Sequence, residues 1–101
     1  MTDADLMKIF KQRIGEPYPS ADRQLFLDQA VSAARAMITR EGITLNTVTS
    51  SEDAELVLMY AEYLVKKRNT TEGMPRMLRF AMNNRLFAEK INETEEDTNE
   101  S

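Results

Sequence analysis

The sequence predicts an all-α fold: a small four-helix domain with a central apolar third helix and a disordered acidic C-terminal tail. Helix-favouring residue types are plentiful, whereas the 101 residues include only three glycines and three prolines. Apolar residues recur at helical spacing in several segments, and runs of β-branched residues are nearly absent. A chain of this length with 42% hydrophobic residues supports a single modest core. The predicted domain covers residues 1–91 and the tail covers residues 92–101.

Capping residues mark the ends of the first two predicted helices. Thr2 or Asp3 is suited to begin the first helix, and Gly15 ends it. Ser20 is suited to begin the second helix, and Gly42 follows its end as a C-cap residue. The apolar stripes that should face the core are Leu6, Ile9, Phe10 and Ile14 in the first helix, and Leu27, Ala30, Val31, Ala34, Met37 and Ile38 in the second.

The third helix is predicted to be the most buried. Its segment LVLMYAEYLV, residues 56–65, carries a single charge at Glu62, so it needs packing partners on nearly every side. Ser50 and Asp53 have the spacing of a capping box at its start. The preceding segment ITLNTVTS, residues 43–50, is predicted to be an extended connector. Its apolar residues that should turn towards the core are Ile43, Leu45 and Val48.

The most distinctive segment is MPRMLRFAMNNRLF, residues 74–87. Pro75 fits the first turn of a fourth helix, because the N–H that proline lacks has no intrahelical acceptor there. The four helices are therefore predicted near residues 3–14, 20–41, 51–68 and 75–90.

Three interpretations of this segment stay open from the residues alone. In the first, Met77, Leu78, Ala81 and Met82 pack on the third helix while Arg76, Arg79 and Asn83 face solvent. In the second, its methionines and arginines form a protein interface, for which both residue types are well suited. In the third, the arginines contact phosphates and the asparagines contact base edges of a nucleic acid. The body of the chain is close to neutral, which favours the third interpretation least.

Composition argues against catalysis. The chain has no His and no Cys, so it lacks an imidazole base, a thiolate nucleophile and the usual zinc ligands. The three glycines are isolated and form no phosphate-binding loop. We therefore expect no enzymatic activity, no cofactor and no metal site. The longest apolar run, about ten residues, is too short to span a bilayer, so we also expect no membrane insertion.

Two stretches, YAEYLVKKRN and MPRMLRFAMNNRLF, separated by one short turn, together resemble a known family. They are similar to the C-terminal half of the head–tail connector proteins, also called adaptor or head-completion proteins, of long-tailed double-stranded DNA phages and prophages. The resemblance follows the order of elements from residue 3 to residue 91, and its specific part lies between Tyr60 and Phe87. The chain departs from that pattern at Val65, where we expect an aromatic residue in many members. The acidic tail is particular to this sequence.

The resemblance implies a structural role. Such subunits form a homo-oligomeric ring between the portal protein and a tail-side completion protein, and DNA passes through the ring without specific binding. The implied location is the virion neck, and the host cytoplasm during assembly. The residues expected at the contact with other subunits or partners are Met74, Arg76, Met77, Arg79, Asn83, Asn84 and Arg85.

Two alternatives remain. The first is a small nucleic-acid-binding regulator that uses the basic segment 76–85. The second is a monomeric adaptor whose exposed helix face binds one other protein.

Overall fold

The computed structural model describes residues 1–67 and 73–100, and of residues 93–100 it describes the backbone alone. The helices are α1 (Asp3–Arg13), α2 (Ala21–Arg40), α3 (Ser51–Lys66) and α4 (Arg76–Glu100). Within these ranges there is no strand. The predicted all-α fold is therefore confirmed.

The residues that begin the helices act as predicted. Thr2 Oγ1 accepts a hydrogen bond from Asp5 N at 3.1 Å, and Ser20 Oγ accepts one from Arg23 N at 3.2 Å. Ser50 does the same for α3, because its Oγ accepts from Asp53 N at 3.1 Å. Each of these side chains satisfies one of the backbone donors that the first turn of a helix leaves without an intrahelical acceptor.

Helix α3 forms the centre of the domain, as predicted, and it contacts each of the other three helices. Seven of its residues are buried, more than in α1 or α2. Around it, Leu6 and Phe10 of α1 and Leu27 and Ile38 of α2 are almost fully buried. The predicted apolar stripes of α1, α2 and α3 therefore meet in one core.

Three apolar residues that were expected to pack inward are exposed instead. Val48 in the connector is 62% exposed, and Thr47 beside it is buried because its hydroxyl accepts a hydrogen bond from Arg35. Met37 lies at the edge of the α2 stripe and is 39% exposed. Met77 on α4 is 75% exposed, because α4 turns the neighbouring Leu78 towards the core.

Helix α4 begins at Arg76, next to Pro75, but it continues to Glu100 instead of ending near residue 90. Residues 76–101 contain neither glycine nor proline, so the sequence offers no helix-terminating residue in this region. The predicted disordered tail covers residues 92–101. Of these, the side chains of residues 93–100 and the whole of residue 101 lie outside what the structure describes. The predicted end of the third helix at residue 68 and most of the turn after it also lie outside the described ranges. No helix in those ranges is both long and apolar enough to cross a membrane.

Candidate interaction surface on the fourth helix

The inner face of α4 packs on the body of the protein. Leu78 is 1% exposed and Met82 is 7% exposed, and both belong to the same core cluster as the α3 residues. Ala81 and Leu86 add partly buried contacts to that cluster. Because an α-helix advances about 100° per residue, this packing fixes which side chains of α4 point away from the core.

A largely covered arginine, Arg85, fastens the middle of α4 to the domain. Arg85 Nε donates to Asp53 Oδ1 of α3 at 2.7 Å, and its Nη2 donates to the carbonyl oxygen of Thr44 at 2.7 Å. Its Nη1 donates to Glu89 Oε2 at 2.9 Å, one turn further along α4. The hydrogen bond that Arg85 donates to Asp53 is the largest of the effects that raise the pKa of Arg85 above its ordinary value.

The same cluster orders the connector between α2 and α3. Asp53 Oδ2 accepts a hydrogen bond from the backbone N–H of Asn46 at 2.8 Å. Two hydrogen bonds lower the pKa of the Glu89 carboxyl below its ordinary value. The bond from Thr44 has the larger effect and the bond from Arg85 the smaller one. The guanidinium of Arg85 thus donates hydrogen bonds to three residues: Thr44, Asp53 and Glu89. We call these three residues, together with Arg85, the Arg85 clamp.

The outer face of α4 carries a line of exposed apolar side chains. Met77 is 75%, Phe80 58%, Phe87 65% and Ile91 42% exposed, and Asn84, also exposed, lies between the two phenylalanines. These five residues, spaced three, four, three and four apart, are called the outer seam below. Apolar side chains in such a contiguous line on the surface are typical of an interaction site.

Polar residues border the outer seam on one side. Arg76, Arg79 and Asn83 are all exposed at the beginning of α4, in accordance with their spacing along the helix. Arg79 and Asn83 line a shallow cleft of about 80 Å³ together with Met74 and Glu41. The cleft places a carboxylate near this arginine-bearing edge of the seam.

The structure brings together most of the residues expected at a partner contact. Met77 and Asn84 lie in the outer seam, Arg76, Arg79 and Asn83 lie beside it, and Met74 is half-buried in the adjacent cleft. Arg85 differs, because only 14% of its side chain is exposed and its guanidinium is engaged in the clamp. Its position makes Arg85 a structural residue that holds α4 in place.

Phe80, Phe87 and Ile91 were missed as members of this surface. The available signal was their spacing from Met77, which continues through Asn84 at alternating steps of three and four residues. That spacing alone did not show whether the stripe faces the core or the solvent. The packing of Leu78 and Met82 decides the question, because it leaves the stripe on the opposite side of α4.

Two larger grooves lie elsewhere on the domain, and ion pairs line the edges of both. One, of about 360 Å³, lies between α1, α3 and the start of α4, and there Arg13 forms two hydrogen bonds to Glu55 and an ion pair with Glu62. The hydrogen bond to Glu55 is the main cause of the raised pKa of Arg13. The other groove, of about 410 Å³, lies between α1 and α2 and is bordered by the Arg35–Asp3 pair.

The charged groups that border these grooves include the ion pairs Arg13–Glu55, Arg13–Glu62 and Arg35–Asp3, and Asp28 in the second groove accepts a hydrogen bond from Gln24. In the part of the chain that the structure describes, no three metal-ligating side chains are close enough together to hold a metal ion. The outer seam and the bases beside it are therefore the candidate functional surface.

In comparisons with known proteins, no protein-family model, no curated protein and no solved structure matches the chain.

Proposed function

We propose that this protein is a structural subunit of a phage or prophage neck, a connector that assembles as a ring between the portal and the tail and extends the DNA channel. The single observation that carries the proposal is the outer face of α4, where exposed apolar side chains and bases lie side by side. A helix that packs on its own domain through one face and exposes apolar residues on the other is suited to join subunits. The resemblance of residues 60–87 to connector proteins supplies the class of assembly.

The chemistry of the surface favours a protein partner over a nucleic acid. The two phenylalanines of the outer seam, Phe80 and Phe87, lie on the face that Arg76 and Arg79 border, so an approaching phosphate backbone would meet apolar rings. Interfaces between proteins are enriched in aromatic residues, Met and Arg, which is the composition found here. In this proposal the partners are other copies of the chain, the portal protein and the tail-side completion protein, and the DNA passes through without specific contacts.

Assembly with the portal tests the proposal. The protein is co-expressed with the portal protein and the tail-completion protein of the same phage or prophage, and the purified complexes are imaged by electron microscopy and weighed by native mass spectrometry. We expect a ring of this protein on the portal. Arg79→Glu should weaken its assembly, because it places an acid beside Glu41 and removes a base from the contact.

Leu25→Glu on α2 is the matched control, because Leu25 is 63% exposed and lies on another helix. A chain that binds neither portal nor tail component under these conditions would exclude the connector function. Loss of assembly in the control but not in Arg79→Glu would place the contact away from α4.

A further inference from the structure

The outer seam has the spacing of a coiled-coil seam. Met77, Asn84 and Ile91 occupy successive a positions of a heptad, and Phe80 and Phe87 occupy the d positions between them. All five are exposed, and the buried residues Leu78 and Met82 lie on the other side of α4. The face of α4 that carries the seam is therefore not the face that packs on the core, so a second helix can lie along it.

We propose that the outer seam binds the outer seam of a second copy of this chain, forming a two-stranded parallel coiled coil around a two-fold axis. The seam is self-complementary, because each apolar layer meets an identical layer across the axis. Ala81 and Ala88 occupy the e positions, where their small side chains allow close approach of the partner helix. Arg76 and Asn83 occupy the g positions and would face these alanines across a parallel pair, so no like charges oppose each other there.

Asn84 determines the orientation. In a parallel pair the two Asn84 amides lie in the same layer, and each amide can donate to and accept from the other. In an antiparallel pair an a position faces a d position, so each Asn84 amide would lie against the ring of Phe87. Such an arrangement covers a polar group without giving it a hydrogen-bonding partner, which is unfavourable.

The area of the seam indicates a weak pair. One aromatic side chain covers about 150–250 Å² when it is fully buried. Scaled by their exposed fractions, the four apolar side chains of the seam therefore expose roughly 400 Å² per copy. A symmetric pair then covers on the order of 800 Å², which is below the roughly 1,000 Å² that a stable specific interface exceeds and is in the range of weak, transient contacts. We therefore expect a weak association whose dimer fraction rises with protein concentration.

This pair goes beyond the proposed connector function and does not depend on it. A ring needs a head-to-tail contact between unlike surfaces, whereas a two-fold pair closes on itself after two copies. Both arrangements would use the outer face of α4. The pair is accordingly the form that the protein adopts away from its assembly partners.

Sedimentation of the purified full chain, without portal or tail components, over about 5–500 μM measures the association. We expect a monomer–dimer equilibrium that Phe80→Glu and Phe87→Glu each weaken at least about tenfold. Leu25→Glu should leave the equilibrium unchanged, since it introduces the same charge at an exposed apolar residue outside the seam. Circular dichroism checks that each variant keeps its helix content, so that weaker association is not the result of unfolding.

Cysteine cross-linking tests the orientation, because the chain contains no cysteine of its own. In a parallel pair, Met77→Cys alone and Ile91→Cys alone should each form a disulfide-linked dimer under mild oxidation. In an antiparallel pair the two cysteines of Met77→Cys would be roughly 20 Å or more apart along the helix axis, too far for a disulfide.

Either of two results would overturn the proposal: a monomer up to 500 μM, or a dimer that Leu25→Glu weakens and Phe80→Glu does not. A disulfide between Phe80→Cys and Ile91→Cys in a mixture, with neither linking to itself, would overturn the parallel arrangement, because Ile91 faces Phe80 in the antiparallel pair that sets Asn84 against Phe87. Binding of the seam to a portal protein alone, with no self-association, would likewise exclude the pair and leave the connector proposal standing.

Discussion

Arg85 of α4 and Asp53 of α3 form a buried ion pair, with Arg85 Nε 2.7 Å from Asp53 Oδ1. Only 3% of the Asp53 side chain and 14% of the Arg85 side chain are exposed. Because the same two residues also bind Thr44 O and Asn46 N, the pair fastens both α4 and the connector to the central helix. Asp53 therefore has a second role besides its place in the first turn of α3.

Replacing Arg85 by methionine should lower the free energy of unfolding by about 3 kcal/mol, because it leaves the Asp53 carboxylate buried without its cation. Urea unfolding followed by circular dichroism measures this loss. Arg79→Met is the control, since it makes the same change at an exposed position of α4 and should stay within about 0.5 kcal/mol of the parent. Equal unfolding midpoints for the two variants would show that the clamp does not stabilise the fold.

The Glu89 carboxyl should make stability depend on pH. Its pKa in the folded protein is lowered from the ordinary value of 4.5 by hydrogen bonds from Thr44 and Arg85. A lowered folded pKa means that the contribution of Glu89 is present above pH 4.5 and is lost as pH falls through the folded pKa. Urea midpoints measured between pH 6 and pH 3 should therefore fall less steeply in Glu89→Gln than in the parent.

The matched control for this pH series is Glu52→Gln, which changes an exposed carboxyl in the first turn of α3. Its urea midpoints are measured over the same pH range, and Glu89→Gln should depart further from the parent than this control does. If Glu89→Gln and the parent lose stability in parallel through this range, then Glu89 does not contribute to acid sensitivity.

Leu58→Asp should prevent folding, because Leu58 is 2% exposed in the middle of α3 and the new carboxylate would have no partner in the core. Circular dichroism and limited proteolysis report the loss of the helical domain. Leu25→Asp introduces the same residue at a leucine that is 63% exposed and should remain folded. A folded Leu58→Asp protein would contradict the assignment of α3 as the centre of the core.

Binding to random duplex DNA at physiological salt should be weak, because the body of the chain is nearly neutral and the C-terminal segment is acidic. Deleting residues 92–101 removes five acids and no base, so it should strengthen this binding and steepen its dependence on salt. Fluorescence anisotropy with a labelled duplex measures both effects. Tight, sequence-selective binding that Arg76→Ala or Arg79→Ala abolishes would instead identify a nucleic-acid-binding regulator.

Much of the fold was predictable from the sequence because its determinants are local. A serine or threonine that caps a helix needs only the backbone N–H groups a few residues later, as Ser20 and Ser50 do. Gly15 and Gly42 adopt positive φ angles of 77° and 104° at the ends of their helices, a conformation that glycine adopts without strain. The burial of α3 likewise follows from a segment that is apolar on nearly all sides.

The candidate interaction surface was only partly predictable, because it depends on how α4 is rotated against the body. The bases Arg76 and Arg79 were expected at the surface and lie there, but the sequence offered Met77 and Leu78 as equally suitable core residues. One residue along a helix corresponds to a rotation of about 100°, so a choice between Met77 and Leu78 as the core residue turns the helix by more than a quarter of a turn and changes which side chains face solvent. Phe80 and Phe87 could be assigned to the outer face only once Leu78 was seen in the core.

The sequence by itself determined the helices, their order and the central position of α3, since capping, helical periodicity and overall apolar content are properties of short segments. Only the tertiary structure decided that Arg85 is an internal residue and that the outer seam faces solvent. Arg85 and Asp53 are 32 positions apart, and nothing local to either residue specifies their meeting. Their contact follows from the packing of α4 on α3, which depends on all the helices together.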